Sequence, residues 1–206
     1  ICMNSAQDFG AGNPARGGTI YLTAADERGM MVSFIQSNYM GFGSGCVEPD
    51  FGISLQNRGH AFELQAQGAN PANRVAPGKR PFHTIIPAFL TKDGLPVMSF
   101  GVMGASMQPQ GHVQTLVRML DHGQNPQTAC DAPRWRFDAG RTVKVEASMR
   151  PETVQGLRDL GHALQVVDNP CMDFGAGQFI WRMGTPGTEG YAAASDPRRD
   201  GLAAGF

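Results

Sequence analysis

A threonine follows two glycines at Gly17-Gly18-Thr19 and opens the β-prone run TIYLTAAD. Its hydroxyl admits two readings. In one, Thr19 is a β-branched residue in the strand environment it favours. In the other it is an N-terminal nucleophile: the hydroxyl attacks a carbonyl, and the α-amino group of the same residue takes the proton as general base. The second reading needs a free amine, hence cleavage of the Gly18–Thr19 bond, and glycine at the preceding position suits the strained backbone that self-cleavage requires.

Other residue types capable of chemistry are less specific. Gly41-x-Gly43-x-Gly45 lacks the G-x-G-x-x-G spacing of a nucleotide loop and reads as tight turns near a substrate. His60, His83 and His112 have no G-x-S-x-G elbow to serve. Arg58, in Asn57-Arg58-Gly59, can hold a substrate carboxylate through two parallel hydrogen bonds, although an exposed surface arginine is the ordinary reading. The four cysteines are scattered, with no C-x-x-C pair and no His pair at metal-ligand spacing, so they read as free buried thiols and no metal site is expected. Free thiols lean toward the cytoplasm; Ile1 in place of Met leaves a removed targeting segment, and a periplasmic location, open.

The elements that must position these groups follow from periodicity. TIYLTAAD and MMVSFIQS, joined by Glu27-Arg28-Gly29, form one expected hairpin; HTIIPAFLT and PVMSFGV around Lys92-Asp93-Gly94 form a second. Between them FGISLQN is a short apolar run, and residues 63–79 read as an extended surface loop. Val113, Leu116, Val117 and Leu120 fall at i, i+3, i+4 and i+7, predicting an amphipathic helix from Pro109 to His122 with Gly123 as terminator. A second helix is expected from Pro151 to Gly161, and short strands at VKVEA, ALQVVD and QFIWRM. Asp196-Pro197-Arg198 reads as a turn with a buried ion pair. Hairpins, then helices, then more strands argue for an α+β layered domain rather than a doubly wound parallel sheet.

Composition narrows the function further. At 206 residues the chain suits one folding unit, and 17 Lys plus Arg against 18 Asp plus Glu leave a net charge of −1. No basic field exists to attract nucleic acid or an anionic membrane. No run of eighteen apolar residues is present, so no membrane partner is expected. With 27 Gly and 14 Pro, the chain is rich in tight turns and close backbone approaches.

Taken in order, Thr19-Ile20-Tyr21, Phe42-Gly43-Ser44-Gly45, Pro77-Gly78-Lys79-Arg80-Pro81, Gly104-Ala105-Ser106, Asp131-Ala132-Pro133-Arg134 and Ala194-Ser195-Asp196-Pro197-Arg198 resemble the small-subunit region of gamma-glutamyltranspeptidases. The resemblance runs from Thr19 to the C-terminus. It implies the N-terminal-nucleophile αββα sandwich, completed by a large subunit from the same precursor that is not in this chain. Residues 1–18 would then be the end of that subunit or a precursor linker, and 19–206 the catalytic region. It further implies an autoprocessed amidohydrolase or acyltransferase that cleaves a small amide or gamma-glutamyl bond and passes the acyl group to water or an amine, without metal or cofactor. The competing reading is an unprocessed, catalytically silent member that acts as a binding or structural protein.

Site residues carry over by position. Thr19 matches the nucleophile, with Gly18–Thr19 the cleavage site; Ser37 matches the hydroxyl that orients it. Gly104 and Ala105 match the glycine pair whose N–H groups receive the oxyanion, with Ala tolerated at the second position provided its φ is negative. Tyr39 and Ala61 stand where members acting on glutathione carry the Asn and Asp that grip the donor's amino-acid head, and His83 and Thr84 where they carry paired serines. With Asn57-Arg58-Gly59 and Phe100-Gly101-Val102-Met103, these departures resemble the branch of oxamate amidohydrolase-like and cephalosporin-acylase-like members. Tyr39, Arg58, His83 and Thr84 are therefore the expected substrate contacts.

Overall fold

The structure, a computed structural model, describes residues 17–64, 71–171, 173–185 and 188–206. The linker expected over residues 1–18 lies outside them except for Gly17 and Gly18, which already belong to strand β1 (Gly17–Ala25). Strand β2 (Met31–Met40) pairs with β1, and the turn between them closes on Asp26, whose carboxylate accepts from the N–H groups of Arg28 and Met30. Short strands β3 (Val47–Glu48) and β4 (Ile53–Ser54) pair antiparallel, so FGISLQN contributes only two strand residues. A single 3-10 turn, Arg58–Ala61, follows. Residues 63–79 are loop in the main, with a second 3-10 turn at Pro71–Asn73 and a bridge from Glu63 to Arg74; positions 65–70 lie outside the described residues.

The second hairpin is β5 (Ala88–Lys92) and β6 (Leu95–Met103), closed at Asp93 and Gly94, both with positive φ (53° and 77°), the geometry an Asp-Gly turn supplies. Helix α1 (Met107–Leu120) and the unforeseen α2 (Pro126–Asp131) come next. Asn125 caps α2 by accepting from the Thr128 N–H at 2.8 Å, with Pro126 in the first turn. Strands β7 (Trp135–Ala139) and β8 (Thr142–Glu146), helix α3 (Pro151–Asp159), and strands β9 (Ala163–Val167), β10 (Ala176–Arg182) and β11 (Tyr191–Ser195) complete the chain. This is the α+β order expected from the sequence.

Contacts divide the described chain into two compact units. One comprises residues 21–35 and 86–206; the other comprises 17–20 and 36–85. The larger unit holds a four-stranded antiparallel sheet in the order β11-β10-β6-β5. Helices α1 and α2 pack on it around Met98, Phe100, Val102, Met119, Ala129, Cys130, Phe179 and Ala194. A second sheet, β7-β8-β9, carries α3; its β8–β9 pair is parallel, with α3 as the crossover.

Of the stripe expected to face the core of α1, only Leu116 packs against it; Val113, Val117 and Leu120 are exposed, whereas Met107, Gly111, His112, Thr115 and Met119 are buried. Close approach decides this: a Cβ at Gly111 would stand 2.6 Å from Val102 Cγ1, so only the small-residue face can seat against β6. Thr115 satisfies its hydroxyl locally on the Gly111 carbonyl at 2.8 Å.

Two buried polar systems hold this unit. His112 Nε2 accepts from the Val102 N–H at 2.8 Å, and burial, aided by the nearby Arg134 charge, lowers its pKa to about 4. The turn at Asp196 pairs with Arg134 at 2.6 Å and Arg198 at 3.0 Å, Arg198 also bonds Glu146, and all four side chains are buried. Burial pushes the Glu146 pKa up against the opposing pull of Arg198. The four free buried thiols expected are corrected in part: Cys130 is free and buried, Cys46 is free but exposed, and Cys171 is in a disulfide, which removes the ground for a cytoplasmic preference. Cys2 lies outside the described residues.

Candidate active site

Within the smaller unit the hairpin brings the first residues of β1 beside the last residues of β2. Thr19 and Ser37, eighteen positions apart, meet at 3.0 Å, the Thr19 hydroxyl donating to Ser37 Oγ. Ser37 Oγ in turn donates to the Gly18 carbonyl oxygen at 3.1 Å and accepts from the Tyr39 N–H at 2.9 Å. One hydroxyl therefore touches the candidate nucleophile, the carbonyl of the candidate cleavage bond, and the backbone of a candidate substrate contact. Chemically this holds the Thr19 hydroxyl in one orientation and draws electron density from the Gly18 carbonyl.

Tyr39 is held in the left-handed region at φ 76°. For a residue with a Cβ that conformation costs about 1–2 kcal/mol, and it persists only where the surroundings impose it. Here its N–H is fixed on Ser37 and its ring is covered by Arg58, whose Cζ stands 5.2 Å from the ring centroid. The His60 ring lies 6.2 Å away on a tilted plane. Asn57 ties this corner together: its N–H donates to the Asn38 carbonyl at 3.1 Å, and its side-chain oxygen accepts from the Met40 N–H at 3.0 Å. The 3-10 turn that starts at Arg58 is thereby seated against the end of β2. The sequence marks Asn57 only as part of Asn-Arg-Gly; an amide side chain just before a short turn is the signal for its bracing role.

Arg58 is not the surface arginine of the ordinary reading. It is 6% exposed, donates from Nη1 to Thr84 Oγ1 at 2.7 Å, and its own N–H is held by the Gln56 side chain. No carboxylate among the described residues pairs with it. Gly18, Thr19, Ser37, Tyr39, Arg58 and Thr84 thus form one connected run of contacts. His83 is exposed and joins none of these contacts among the described residues. Ala61 closes the 3-10 turn, its carbonyl accepting from Asn73.

Gly104 and Ala105 belong to the larger unit, in the turn from β6 into α1. Gly104 has φ 130°, and a Cβ there would stand 2.7 Å from Gly175 Cα. Ala105 has φ 51°, so the negative φ set as its condition is not met: alanine takes the glycine-like conformation at a cost of roughly 1–2 kcal/mol. Their carbonyls accept from the N–H groups of Met107 and Gln108, while among the described residues nothing accepts from their own N–H groups. Two unpaired donors at a glycine-rich turn are what an oxyanion-binding loop needs.

Among the described residues no group of three His, Cys, Asp or Glu could hold a metal ion, and no helix is long and apolar enough to cross a membrane.

Comparison with known proteins adds the following. Residues 3–206 match the family described as gamma-glutamyltranspeptidase. The chain is 39% identical to a glutathione hydrolase-like proenzyme, YwrD, of Bacillus subtilis over 94% of its own length and 37% of the relative. It is also 39% identical to the oxamate amidohydrolase proenzyme of Klebsiella pneumoniae, over 98% of this chain and 38% of that one. The crystal structure of cephalosporin acylase from Bacillus halodurans superposes with a TM-score of 0.77 at 51% identity, over 85% of this chain and 32% of the acylase. The chain therefore spans well under half the length of these relatives. That likeness puts its α+β fold among the N-terminal-nucleophile sandwiches. Sequence and fold together make this chain a member of the gamma-glutamyltranspeptidase family.

Proposed function

We propose that this chain is the nucleophile-bearing part of an autoprocessed amidohydrolase or acyltransferase in which Thr19 forms the acyl-enzyme. The observation that carries this reading is the arrangement of Ser37, which orients the Thr19 hydroxyl and also bonds the Gly18 carbonyl. In the precursor, Thr19 Oγ adds to the Gly18 carbonyl carbon, the C–N bond breaks, and the acyl group moves from nitrogen to oxygen as an ester. Water then cleaves the ester and frees the α-amine of Thr19.

The same hydroxyl next attacks a substrate amide, with the freed amine as base. The proton passes to the leaving amine, and water or a second amine takes the acyl group from Thr19. The N–H groups of Gly104 and Ala105 are assigned the oxyanion on the family resemblance and on their having no acceptor among the described residues. Tyr39, Arg58 and Thr84 are assigned to the acyl donor; for His83 the family resemblance alone supports that assignment. A large subunit from the same precursor supplies the rest of the pocket; the Bacillus subtilis and Klebsiella pneumoniae relatives named above are proenzymes, and this chain spans only part of each.

Intact-mass measurement of the full-length protein tests the reading: two polypeptides that meet between Gly18 and Thr19, with release of amine from an amide substrate, are expected. A single uncut and inactive chain would overturn it.

A further inference from the structure

We infer that Gly175, held in place by Arg134 and Arg136, is the positioning residue of the candidate oxyanion turn. It fixes the backbone at Gly104 and Ala105 in the conformation whose N–H groups have no acceptor among the described residues. The inference rests on the reading of Thr19 as nucleophile and of that turn as its oxyanion site, and adds what holds the turn.

Ala105 sits at φ 51° without being glycine, a conformation that persists only where the surroundings impose it. The surroundings here include a second stretch of backbone. Strand β10 pairs with β6 as far as Ala176 opposite Met103, and one step further Gly175 lies against Gly104. Neither position has room for a side chain. A Cβ on Gly104 would stand 2.7 Å from Gly175 Cα, and a Cβ on Gly175 would overlap the Met103 carbonyl oxygen. On its other side the turn is tied to the start of α1, whose Met107 and Gln108 N–H groups donate to the Gly104 and Ala105 carbonyls. The turn is thus clamped between the first residues of α1 and the chain at Gly175.

That chain is held by two arginines two positions apart. Arg134 Nη1 donates to the Phe174 carbonyl at 3.0 Å and to the Gly175 carbonyl at 3.4 Å. Arg136 Nη1 donates to the Asp173 carbonyl at 3.1 Å and to the Asp173 carboxylate at 2.8 Å. Three consecutive carbonyls, Asp173 to Gly175, are therefore committed to charged donors, which make stronger hydrogen bonds than neutral ones. Lys144 adds a contact to Asp173 at 3.1 Å, and Asp138 accepts from Arg136 at 2.8 Å, so the segment is bound to β7 and β8. In self-cleavage the Gly18 carbonyl has Ser37 as its donor. The Gly104 turn is assigned to the substrate carbonyl instead, so loosening it should slow turnover and spare self-cleavage.

Gly175→Ala and Arg136→Met in the full-length protein test this. Intact mass follows cleavage at Gly18, and initial rates on the acetyl, butyryl and γ-glutamyl 4-nitroanilides follow turnover. Both variants should be cut at the wild-type rate, which also reports that they fold. Gly175→Ala should lower kcat about 100-fold and Arg136→Met about tenfold, with KM within about twofold, because an oxyanion donor acts in the transition state. Arg136→Lys, which keeps a charged donor for Asp173, should recover part of the loss. Arg136→Met leaves the backbone unaltered and decides the matter where Gly175→Ala does not fold. A wild-type kcat in a correctly cut variant, or a raised KM with kcat unchanged, would overturn the inference. Wild-type protein that is uncut and inactive would instead sink the nucleophile reading beneath it.

Discussion

The Ser37 hydroxyl donates to the Gly18 carbonyl at 3.1 Å while it accepts from Thr19 at 3.0 Å. The same side chain thus serves the bond to be broken and the group that breaks it, which separates its loss from the loss of Thr19. In the full-length protein Thr19→Ala should remain uncut indefinitely, whereas Ser37→Ala should be cut roughly 100-fold more slowly, the usual cost of one missing donor to a reacting carbonyl. Time-resolved intact mass distinguishes the two. Cutting of the Thr19→Ala chain at Gly18 would refute the nucleophile assignment.

Ala105 takes a left-handed conformation without being glycine. Ala105→Gly removes the steric cost but frees the unfolded chain, so a net gain of about 0.5–1 kcal/mol is expected. Thermal unfolding should register it as a rise in Tm. A fall in Tm would mean that the turn needs the methyl group for packing.

His112 has its pKa lowered to about 4 from 6.5, because the ring is buried and lies near the Arg134 charge; its Nε2 accepts from the Val102 N–H. Between those values the unfolded state binds more protons than the folded one, so stability rises with pH across that window. It is fully present above pH 6.5, falls as pH drops toward 4, and the loss levels off below. The change is on the order of 3 kcal/mol. His112→Gln, which can still accept from Val102, should flatten this part of the profile in urea titrations from pH 4 to 7.

The Arg134–Asp196 pair is the shortest described ion pair, and both side chains are almost wholly buried. Asp196 also accepts from the Gly177 N–H, and Arg134 donates to the Phe174 carbonyl. Removing one partner strands a buried charge, so Arg134→Met or Asp196→Ala should each cost about 3–5 kcal/mol by chemical denaturation. The double variant Arg134→Met with Asp196→Leu should cost less than the two singles summed, because no charge is left alone.

Much of the fold was legible because local rules decided it. The Asp93-Gly94 turn needs two residues that accept positive φ, and the alternation in TIYLTAAD and MMVSFIQS writes a hairpin whichever partner it later meets. Strand β7 and helix α2 were not foreseen. Trp135–Ala139 alternates apolar and charged residues, but over only five positions, and its pairing to β8 is bulged after Phe137. Helix α2 is only six residues long, too short for a 3.6-residue period to register.

The candidate site divides along the same line. Thr19 after two glycines, the hydroxyl at Ser37 and the glycine turn at Gly104 are identities in order along the chain, so the sequence by itself determined the family, the α+β class and the nucleophile to be tested. It could not determine burial or orientation. The stripe at Val113, Val117 and Leu120 has the period of a core face, yet the fold turns it outward, because only Gly111 can approach Val102. Arg58 has the look of a surface charge, yet the tertiary structure buries it between Tyr39 and Thr84. The physical reason is common to both: a residue's exposure depends on volume and contacts contributed by segments far away in sequence, and those are set only when the chain is packed.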